Sequence, residues 1–490
     1  MYQSFIGLEV HIHLLTKTKV FCGCRSAFGD EPNTNVCPIC MGYPGVLPAL
    51  NIEAMRMGCM VAKSLHCRIP EKTWFERKQY FYPDMTKNYQ ISQFASPLGQ
   101  EGFVEIEGKN IKKRVRIKEC HLEEDAGKMI HTGTVSLLDY NRAGVSLLEI
   151  VTEPDMETGE EAERFIQQLR RLVRYLGVCD GNMEEGSLRA DANVSINLPG
   201  KGLGRKVEIK NLNSSRFVRL GLNYEIHRQG EFLDAGKTVV QETRLWNENR
   251  DQTEPMRTKE NAQDYRYFPE PDLPVFTPDL AFLKSVDDAL VELPVPRMKR
   301  LEAEYGLSAE QADLICDEKA LADYFEEAVA AAEKQGFNTQ DAATRIVNWL
   351  LMDIKHILVR EGIPLHAILS FTLKPQQLAT LVVMVAQGQV SMKNAKQAME
   401  AVITEGKDPE LLIRERGWEQ LTDPAKIAEA VNAVYADEGE VFAELNRTGE
   451  KDKRRRTLTA YLVGKVLEKT GGRADPKIVG TQVAALIQKG

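Results

Sequence analysis

Residues 5–40 read FIGLEVHIHLLTKTKVFCGCRSAFGDEPNTNVCPIC and contain the two patterns that decide the fold of the first half of the chain. The stretch begins by alternating apolar and polar residues in the order Leu8, Glu9, Val10, His11, Ile12, His13. Successive side chains of a β-strand point to opposite faces of a sheet. The pattern therefore predicts a strand that buries one face and presents a carboxylate and two imidazoles on the other.

Two close pairs of cysteines follow this strand, with twelve residues between the pairs. They are Cys22, Cys24, Cys37 and Cys40. The spacing is typical of a structural zinc site, in which two tight turns each supply two thiolates to one tetrahedral ion. The alternative is four free cysteines that behave as small hydrophobic residues. Gly23 and Pro38 inside the pairs, with little apolar sequence around them, favour zinc.

Length and composition limit the class of protein. A chain of 490 residues is too long for one core, so about two to four domains are expected. The longest nearly apolar run, at 378–386, is far shorter than the roughly 20 residues that span a bilayer. The first ten residues lack the pattern of a signal peptide, and the nine cysteines, an odd number, favour a reducing compartment. We therefore expect a cytoplasmic protein.

The charge of the chain is unevenly distributed. The total is −8, yet residues 451–490 carry ten Lys and Arg against three Asp and Glu, a local net charge of +7. Such asymmetry indicates an acidic body with a basic arm that binds a polyanion. The alternative is an ordinary solvated helix face.

The pattern of turns and periodicity divides the chain into three parts. Residues 1–293 are rich in predicted strands and in Gly, Pro and Asn turns, and they end in a segment dense in proline. Residues 294–409 show helical periodicity with glycine stops, and residues 410–490 form a smaller helical unit. The predicted fold class is an α+β domain with a mixed sheet, followed by two all-α domains.

Further polar residues alternate with apolar ones in other predicted strands of the first part. They are Asp191 in 189–198, Glu208 in 205–212 and Glu149 in 146–154, while Glu124 lies near the end of the segment 116–127. Together with Glu9 and His11 they predict a polar sheet face. Oxygen-rich clusters with one imidazole suit Mg²⁺ or Mn²⁺ better than zinc. Two such cations among carboxylates, with lysines nearby, are suited to binding ATP phosphates.

The common nucleotide-binding loops are missing from the sequence. The segment GEFLDAGKT at 230–238 resembles a P-loop, but five residues instead of four separate its glycines. It also leads into a predicted strand, where a P-loop requires a helix. We therefore expect that metal ions and the sheet face hold any ATP.

Six ordered motifs now match a known family. They are GLEVHIHL (7–14), NYQISQF (88–94), LEEDAGK (122–128), MEEGSLRADANVS (183–195), EIKNLNS (208–214) and DYRYFPEPDLP (264–274). Over essentially its whole length the chain resembles the B subunits of the tRNA-dependent amidotransferases, the GatB/GatE family. The resemblance implies a cradle domain like that of glutamine synthetase with a zinc-binding insert at 22–40, then a helical domain and a helical tail shared with the YqeY family.

The resemblance also implies a two-step ligase reaction. The family phosphorylates the side-chain carboxylate of Glu on tRNA(Gln), or of Asp on tRNA(Asn), with ATP. Ammonia then displaces phosphate to give Gln-tRNA(Gln) or Asn-tRNA(Asn).

Metal ligands are implied by matching the motifs residue by residue. His11, Glu124 and Glu149 correspond to the ligands of one Mg²⁺ (or Mn²⁺). A second, more loosely held ion corresponds to Glu9, Asp191 and Glu208. In this interpretation the four-cysteine zinc site is a stability element, because closed coordination leaves no position for chemistry.

The same resemblance assigns the remaining candidate residues. Lys78 is the expected catalytic lysine. The residues expected near the acylated 3′ end of the tRNA and a polar ammonia tunnel are Tyr80, Tyr82, Asp84, Lys87, Tyr89, Asp264, Arg266 and Tyr267, for which ordinary aromatic loop packing is the alternative. The basic tail is expected to bind the body of the tRNA through Lys453, Arg454, Arg455, Arg456 and Lys465.

Missing motifs indicate partner proteins. The sequence has no Ser-Ser-Lys amidase signature and no N-terminal cysteine nucleophile. Ammonia is therefore expected from a separate amidase, which in this family is GatA, with the small GatC completing a heterotrimer. The non-discriminating aminoacyl-tRNA synthetase is a further possible partner. The length leaves no room for the inserted domain of the archaeal relatives, so a bacterial protein is expected.

Two other functions remain open at this point. A non-catalytic RNA-binding scaffold explains the cysteines and the basic tail, but it does not explain the polar sheet face. A free-standing ligase of the glutamine-synthetase type, acting on a small amino acid, explains the sheet face and predicts ATP turnover without tRNA.

Overall fold

The computed structural model describes residues 2–108, 111–258, 265–448 and 453–487. The chain forms two compact units, Met1–Pro294 and Val295–Gly490, each of which has its own hydrophobic core. In these described ranges, no helix is both long enough and apolar enough to cross a membrane.

A large mixed sheet organises the first unit. Its strands are β1 (Gln3–His13), β2 (Glu76–Gln79), β3 (Tyr89–Ser92), β4 (Gly99–Gly108), β5 (Ile111–Glu124), β8 (Ser146–Thr152), β9 (Leu188–Asn197), β10 (Val207–Lys210), β11 (Glu242–Asn247), β12 (Gln252–Thr258) and β13 (Phe268–Pro269). The strands β6 (Lys128–Thr132) and β7 (Val135–Asp139) form a separate hairpin. The helices are α1 (Ile52–Ser64), α2 (Gly159–Tyr175), α3 (Ser215–Asp234) and α4 (Leu280–Ala289).

Strand β1 lies in the middle of this sheet. The strand order is β12-β11-β10-β9-β1-β8-β5-β3-β2-β13, and β4 pairs with β5 off this path. Strand β1 is antiparallel to both of its neighbours, while β10 and β11 are parallel. In this register His11 lies opposite Glu149 on one side and Arg189 on the other, and Glu9 lies opposite Asp191.

The alternation predicted for β1 is confirmed. Leu8, Val10 and Ile12 are buried in one hydrophobic cluster with residues of α1, α2 and α3, which cover that face of the sheet. Thr158 caps the N-terminus of helix α2, and its side chain accepts a hydrogen bond from the Glu161 backbone nitrogen. Because helices cover one face, the polar side chains of the strands lie together on the other face.

The second unit is helical. Its helices are α5 (Pro294–Tyr305), α6 (Ala309–Ile315), α7 (Lys319–Lys334), α8 (Thr339–Asn348), α9 (Lys355–Arg360), α10 (Pro375–Ala386), α11 (Met392–Glu405), α12 (Pro409–Glu415), α13 (Pro424–Asp437), α14 (Gly439–Arg447), α15 (Lys453–Lys469) and α16 (Pro476–Ile487). A π-helical turn at Trp349–Ile354 and a 3₁₀ turn at Leu365–Ser370 complete it. The predicted fold class, a mixed-sheet domain followed by helices, is confirmed.

Two hydrophobic clusters divide the helices of the second unit. One extends from Leu301 to Ile413 and the other from Ile427 to Val483. The predicted boundary between residues 409 and 410 falls just before the first cluster ends. The division into three domains, at 1–293, 294–409 and 410–490, stays a prediction.

Candidate functional site

Two imidazoles and two carboxylates meet at the centre of the polar sheet face. Glu149 Oε2 lies 2.7 Å from His121 Nε2 and 3.5 Å from His11 Nε2. Glu123 Oε1 lies 3.8 Å from His11 Nε2. Ligand atoms of His11, Glu123 and Glu149 all lie within 4.8 Å of one another, so this cluster has the spacing of a metal site. The strand register brings these side chains together, because Glu149 on β8 lies opposite His11 on β1 and opposite His121 on β5.

Burial and neighbouring charges have opposite effects on the pKa values of His11 and Glu149 in this central cluster. Burial alone would lower the pKa of His11, but the hydrogen bond and charge of Glu149 raise it to about 9. Burial alone would raise the pKa of Glu149, but the neighbouring imidazoles hold it well below its usual range. Glu149 therefore stays ionised and attracts positive charge, either as protons on the imidazoles or as a divalent cation.

Glu124, which the sequence analysis groups with His11 and Glu149, lies outside this cluster. Its side chain leaves β5 on the opposite side from that of Glu123, because the two residues are adjacent in a strand. Glu124 Oε2 lies 2.6 Å from Lys87 Nζ, and Oε1 accepts a hydrogen bond of 2.9 Å from the Ile91 backbone nitrogen. Among the described residues it is Glu123 that has metal-ligand spacing with His11 and Glu149, and the role of Glu124 in metal binding stays a prediction.

The three residues predicted for a second cation share the polar face, but a lysine lies among them. Glu9 is opposite Asp191, and Glu208 is two strands away on β10. Lys210 Nζ forms ion pairs with Asp191 and with Glu208, the second at 3.1 Å. Asn193 Nδ2 donates a hydrogen bond of 2.9 Å to Glu9. In the part of the chain that the structure describes, these carboxylates do not form a group with metal-ligand spacing.

Lys78 provides a fixed positive charge beside the central cluster. Burial acts to lower the pKa of Lys78, but the charges of Glu123 and other neighbours prevail and raise it. Lys78 Nζ lies 4.9 Å from the ring centroid of Tyr265. Tyr267 stacks on Phe94 with ring centroids 4.2 Å apart, and burial raises the pKa of Tyr267 to about 12. Lys78 is therefore ionised and lies between carboxylates and aromatic rings.

Aromatic side chains continue outward from Lys78 along the chain. The rings of Tyr80 and Tyr82 have centroids 6.0 Å apart. The Arg266 guanidinium lies 5.6 Å from the ring centroid of Phe81. Phe81 and Tyr82 are exposed, at 64% and 45% of their full accessibility. Asp264, also predicted for this region, lies outside the described residues.

Two further residues predicted for the tunnel, Lys87 and Tyr89, border a cavity. They line a space of about 110 Å³ together with Glu124, Cys22 and Cys40. Lys87 Nζ lies 5.8 Å from the Tyr89 ring centroid as well as pairing with Glu124. The cavity therefore extends from the cysteines to the end of β5.

Asp84, another predicted tunnel residue, lies on the loop before Lys87. Burial raises the pKa of its carboxyl group. One of its carboxylate oxygens is buried and has no hydrogen-bond partner among the described residues. Burying such an oxygen without a hydrogen bond costs free energy, which indicates that a ligand or a water molecule donates a hydrogen bond to it.

A second histidine–carboxylate pair lies beside the central cluster. His13 Nε2 lies 2.7 Å from Asp125 Oδ2, and Arg189 Nη2 donates to the same oxygen at 2.8 Å. Asp125 is buried, which would raise its pKa, but Arg189, His13 and Arg142 hold the pKa well below the usual range. Asp125 therefore fixes both His13 and Arg189 on the polar face.

The four predicted zinc ligands converge. The Sγ atoms of all four cysteines lie within 4.8 Å of one another. Four bonds of about 2.3 Å to a tetrahedral ion require sulfur atoms about 3.8 Å apart, so the cluster fits such an ion. Lys19 is fully buried, and its Nζ lies 3.5 Å from Cys40 Sγ. A hydrogen bond from Cys22 lowers the pKa of Cys40 to about 4, which favours a thiolate.

Two family models match separate parts of the sequence. Residues 4–284 match the GatB/GatE catalytic domain, and residues 323–487 match the GatB domain. The first match alone spans more than half of the chain. The chain belongs to the GatB/GatE family.

Relatives in bacteria match over the full length. The B subunit of the aspartyl/glutamyl-tRNA(Asn/Gln) amidotransferase of Thermodesulfovibrio yellowstonii is 42% identical over 490 residues, which is all of both chains. The B subunit from Crocosphaera subtropica is 44% identical and covers 99% of this chain and 98% of its own length. That of Carboxydothermus hydrogenoformans is 42% identical over 98% of this chain and 97% of its own.

In the basic tail of this GatB/GatE family member, some Lys and Arg side chains are exposed, and some are held by hydrogen bonds or ion pairs within the protein. Lys453, Arg454 and Arg456 are exposed on α15, and Arg454 forms an ion pair with Glu444. Arg455 is half-buried, and its Nη1 donates a hydrogen bond of 2.7 Å to the Thr448 carbonyl oxygen. Lys465 Nζ lies 3.3 Å from Glu468 Oε2 and forms an ion pair with it on the helix surface. Residues 451, 452 and 488–490 of the predicted tail lie outside the described residues.

Sequence reasoning missed several residues of the polar face in this family member. His121 and Glu123 follow the period of two in RIKECHLEED, and this signal could have identified them. Lys210 follows Glu208 with the same period. Asp125 lies 112 positions from its partner His13, and no sequence signal reveals that pairing.

Proposed function

We propose that this chain is the ATP-dependent subunit of a tRNA-dependent amidotransferase, a carbon–nitrogen ligase. It phosphorylates the side-chain carboxylate of Glu-tRNA(Gln), Asp-tRNA(Asn) or both, releasing ADP. Ammonia then attacks the acyl phosphate, phosphate leaves, and the amide remains on the tRNA after the nitrogen loses a proton. The observation that carries the proposal is the cluster of His11, Glu123 and Glu149 beside Lys78, in a chain of the GatB/GatE family.

The carboxylate–imidazole cluster supports divalent cation binding. Its oxygen-rich donors suit Mg²⁺ or Mn²⁺, and His11, Glu123 and Glu149 are the residues that would hold the ion, with Glu124 the predicted alternative. The ion would neutralise charge on the phosphates of ATP during transfer. No glycine-rich phosphate loop is needed if cations on the sheet hold the nucleotide.

Lys78 and its aromatic neighbours support binding of the charged 3′ end. The Lys78 ammonium is ionised and close to Glu123, so it can attract the substrate carboxylate or a phosphate oxygen. Exposed rings such as those of Phe81 and Tyr82 suit stacking by unpaired bases, as in other single-stranded nucleic acid sites. Arg266 beside Phe81 adds a positive charge for the backbone.

Ammonia is proposed to come from a partner. The relatives are named as one subunit of an amidotransferase, which supports assembly with other subunits, and the family suggests the amidase GatA and the small GatC. Asp84, Lys87, Glu124 and Tyr89 are the residues proposed to line the route, because they border the cavity or the loop beside it. The non-discriminating synthetase is a further proposed partner, and the bacterial cytoplasm, where translation occurs, is the proposed location.

The test of this function uses the purified complex of the chain with GatA and GatC. Supplied with ATP, Mg²⁺, glutamine and each charged tRNA, it should convert Glu-tRNA(Gln) or Asp-tRNA(Asn) to the amidated form. Product is measured by the amino acid recovered from the tRNA. ATP turnover on free glutamate without tRNA would indicate a free-standing ligase instead. Tight tRNA binding with no ATP turnover would indicate a non-catalytic scaffold.

The four cysteines are proposed to hold a structural Zn²⁺. The Cys22→Ser substitution removes one ligand and should lower Tm by at least about 5 °C, because metal binding contributes directly to folding free energy. Turnover at a permissive temperature should fall much less, since closed coordination leaves no position for substrate. Tm, turnover and zinc content by mass spectrometry are measured together. Cys59→Ser, which alters a buried cysteine outside the cluster, is the control. Equal losses of stability and turnover would contradict a purely structural role.

A further inference from the structure

Lys19 is a fully buried lysine that lies against the four-cysteine cluster. It has no exposed surface, and no other lysine of the described residues is buried. Its Nζ atom lies 3.5 Å from Cys40 Sγ and 3.2 Å from the Tyr140 carbonyl oxygen, and neither partner is a carboxylate. Glu124, which lies close to the same stretch of chain, is paired with Lys87 instead. Because lysine is almost never fully buried without an anionic partner, the cysteine cluster is the source of negative charge for this ammonium.

The backbone fixes Lys19 beside the cysteines. The Lys19 backbone nitrogen donates a hydrogen bond of 2.9 Å to the Cys24 carbonyl oxygen, and that of Val20 donates one of 2.9 Å to Gly144. A Cβ atom on Gly144 would lie 3.5 Å from Lys19 Cδ and 3.6 Å from Cys40 Cβ, so Gly144 borders both side chains. The turn that presents the first pair of cysteines therefore also positions the ammonium.

A zinc ion bound by four thiolates leaves an excess of negative charge. Four thiolates and one Zn²⁺ carry a net charge of −2. Cys22 and Cys40 are buried, so water screens this charge less than it would at the protein surface. The Lys19 ammonium halves the excess charge and donates a hydrogen bond to one of the sulfur atoms.

We propose that Lys19 is the charge-compensating residue of the zinc site, where its ammonium binds the Cys40 thiolate and strengthens the binding of Zn²⁺ by the four cysteines. The inference rests on the proposed structural zinc ion and extends it to a side chain that is not a ligand. Groups that hydrogen-bond to metal ligands commonly change metal affinity by about 10- to 100-fold. The burial of Lys19 and the stability of the zinc site are then two aspects of one interaction.

The test measures zinc affinity by competition with a chelator of known affinity, on the full-length chain in its complex with GatA and GatC. Lys19→Met removes the charge and should weaken zinc binding by at least about tenfold. Lys17→Met removes an exposed lysine two residues earlier and should match wild type. Free Zn²⁺ in excess should restore the Tm of Lys19→Met, because ligand binding stabilises the folded state by mass action. Lys19→Gln is the second neutral variant if Lys19→Met does not fold.

Cobalt provides a spectroscopic measure of the contact between Lys19 and the sulfur atom. With Co²⁺ in place of Zn²⁺, Lys19→Met should move the sulfur-to-cobalt charge-transfer band to longer wavelength. The shift is expected because loss of the hydrogen bond raises the energy of the sulfur lone pairs. Lys17→Met should leave the band where it is in wild type.

A double-mutant cycle separates charge compensation from packing. Cys40→His keeps a fourth ligand but replaces the thiolate with a neutral imidazole, so the site has less excess charge and lacks the sulfur that Lys19 contacts. In this background Lys19→Met should change zinc affinity by less than about twofold. An equal loss in both backgrounds, or a loss of stability in both neutral variants that excess Zn²⁺ does not restore, would overturn the inference. Unchanged zinc affinity in Lys19→Met would do the same, whereas failure of wild type to bind Zn²⁺ or Co²⁺ would contradict the proposed zinc site itself.

Discussion

Glu149→Gln should reduce ATP-dependent amidation of charged tRNA by at least about 100-fold, the scale on which loss of an electrostatic group acts in an active site. Glu149 is the central carboxylate of the cluster, within 2.7 Å of His121 and 3.5 Å of His11. The neutral amide keeps the shape of the side chain but removes the charge that attracts a divalent ion. Glutamine hydrolysis by the amidase partner should continue, because its chemistry lies on another polypeptide.

Parallel substitutions decide which neighbouring carboxylate acts with Glu149. Glu123→Gln tests the residue that shares the cluster with His11, and Glu124→Gln tests the predicted residue that pairs with Lys87. The variant whose Mn²⁺ affinity falls most identifies the third ligand. Glu105→Gln, on an exposed position of β4, is the matched control and should leave amidation unchanged. Normal amidation by Glu149→Gln would remove the central cluster from the mechanism.

Neutralising Lys453, Arg454 and Arg456 together should raise the KM for charged tRNA by roughly 10- to 100-fold at physiological salt. Each cation that contacts a phosphate releases a counterion, so the slope of log affinity against log salt should become shallower by about two to three. Arg455 is excluded from this set because it is anchored to the Thr448 carbonyl. Turnover at saturating tRNA and the affinity for ATP should hardly change.

A matched variant separates a specific contact between the tail and tRNA from the effect of the protein's total net charge. It neutralises three exposed cations elsewhere in the helical unit, Lys299, Lys334 and Arg345. The change in net charge is the same, so long-range attraction of tRNA falls equally in both variants. If both raise KM to the same extent, the tail is only a solvated helix face.

Alternation along single strands was enough to predict the main features of the first unit. The period of two in β1 identified both its buried face and the polar side chains Glu9 and His11, because one side of this strand packs on helices. The capping box that Ser308 and Gln311 form at the start of α6 is equally local. Local patterns succeed where a residue's environment is decided by its immediate neighbours in sequence.

What the sequence could not supply is the pairing between distant strands. Glu123 and Glu124 both lie in a run of acids at the end of β5, and only the register shows that Glu123 faces His11. Likewise, the pattern identified Asp191 and Glu208 as acids on one face but did not reveal that Lys210 neutralises them. The choice of counter-ion depends on three-dimensional distances, which the period of two does not encode.

The central position of β1 has a consequence for the order of events during synthesis. Strand β1 emerges first from the ribosome, yet its partners β8 and β9 end at Thr152 and Asn197. Such long-range pairing is slow, since a long loop must close before the contacts compensate for its entropy. The first strand therefore has no partner until Thr152 is made and lacks its second partner until Asn197 is made. A nascent chain that stops before β8 has its first histidines but lacks Glu149, so chaperones are expected to act on this N-terminal segment.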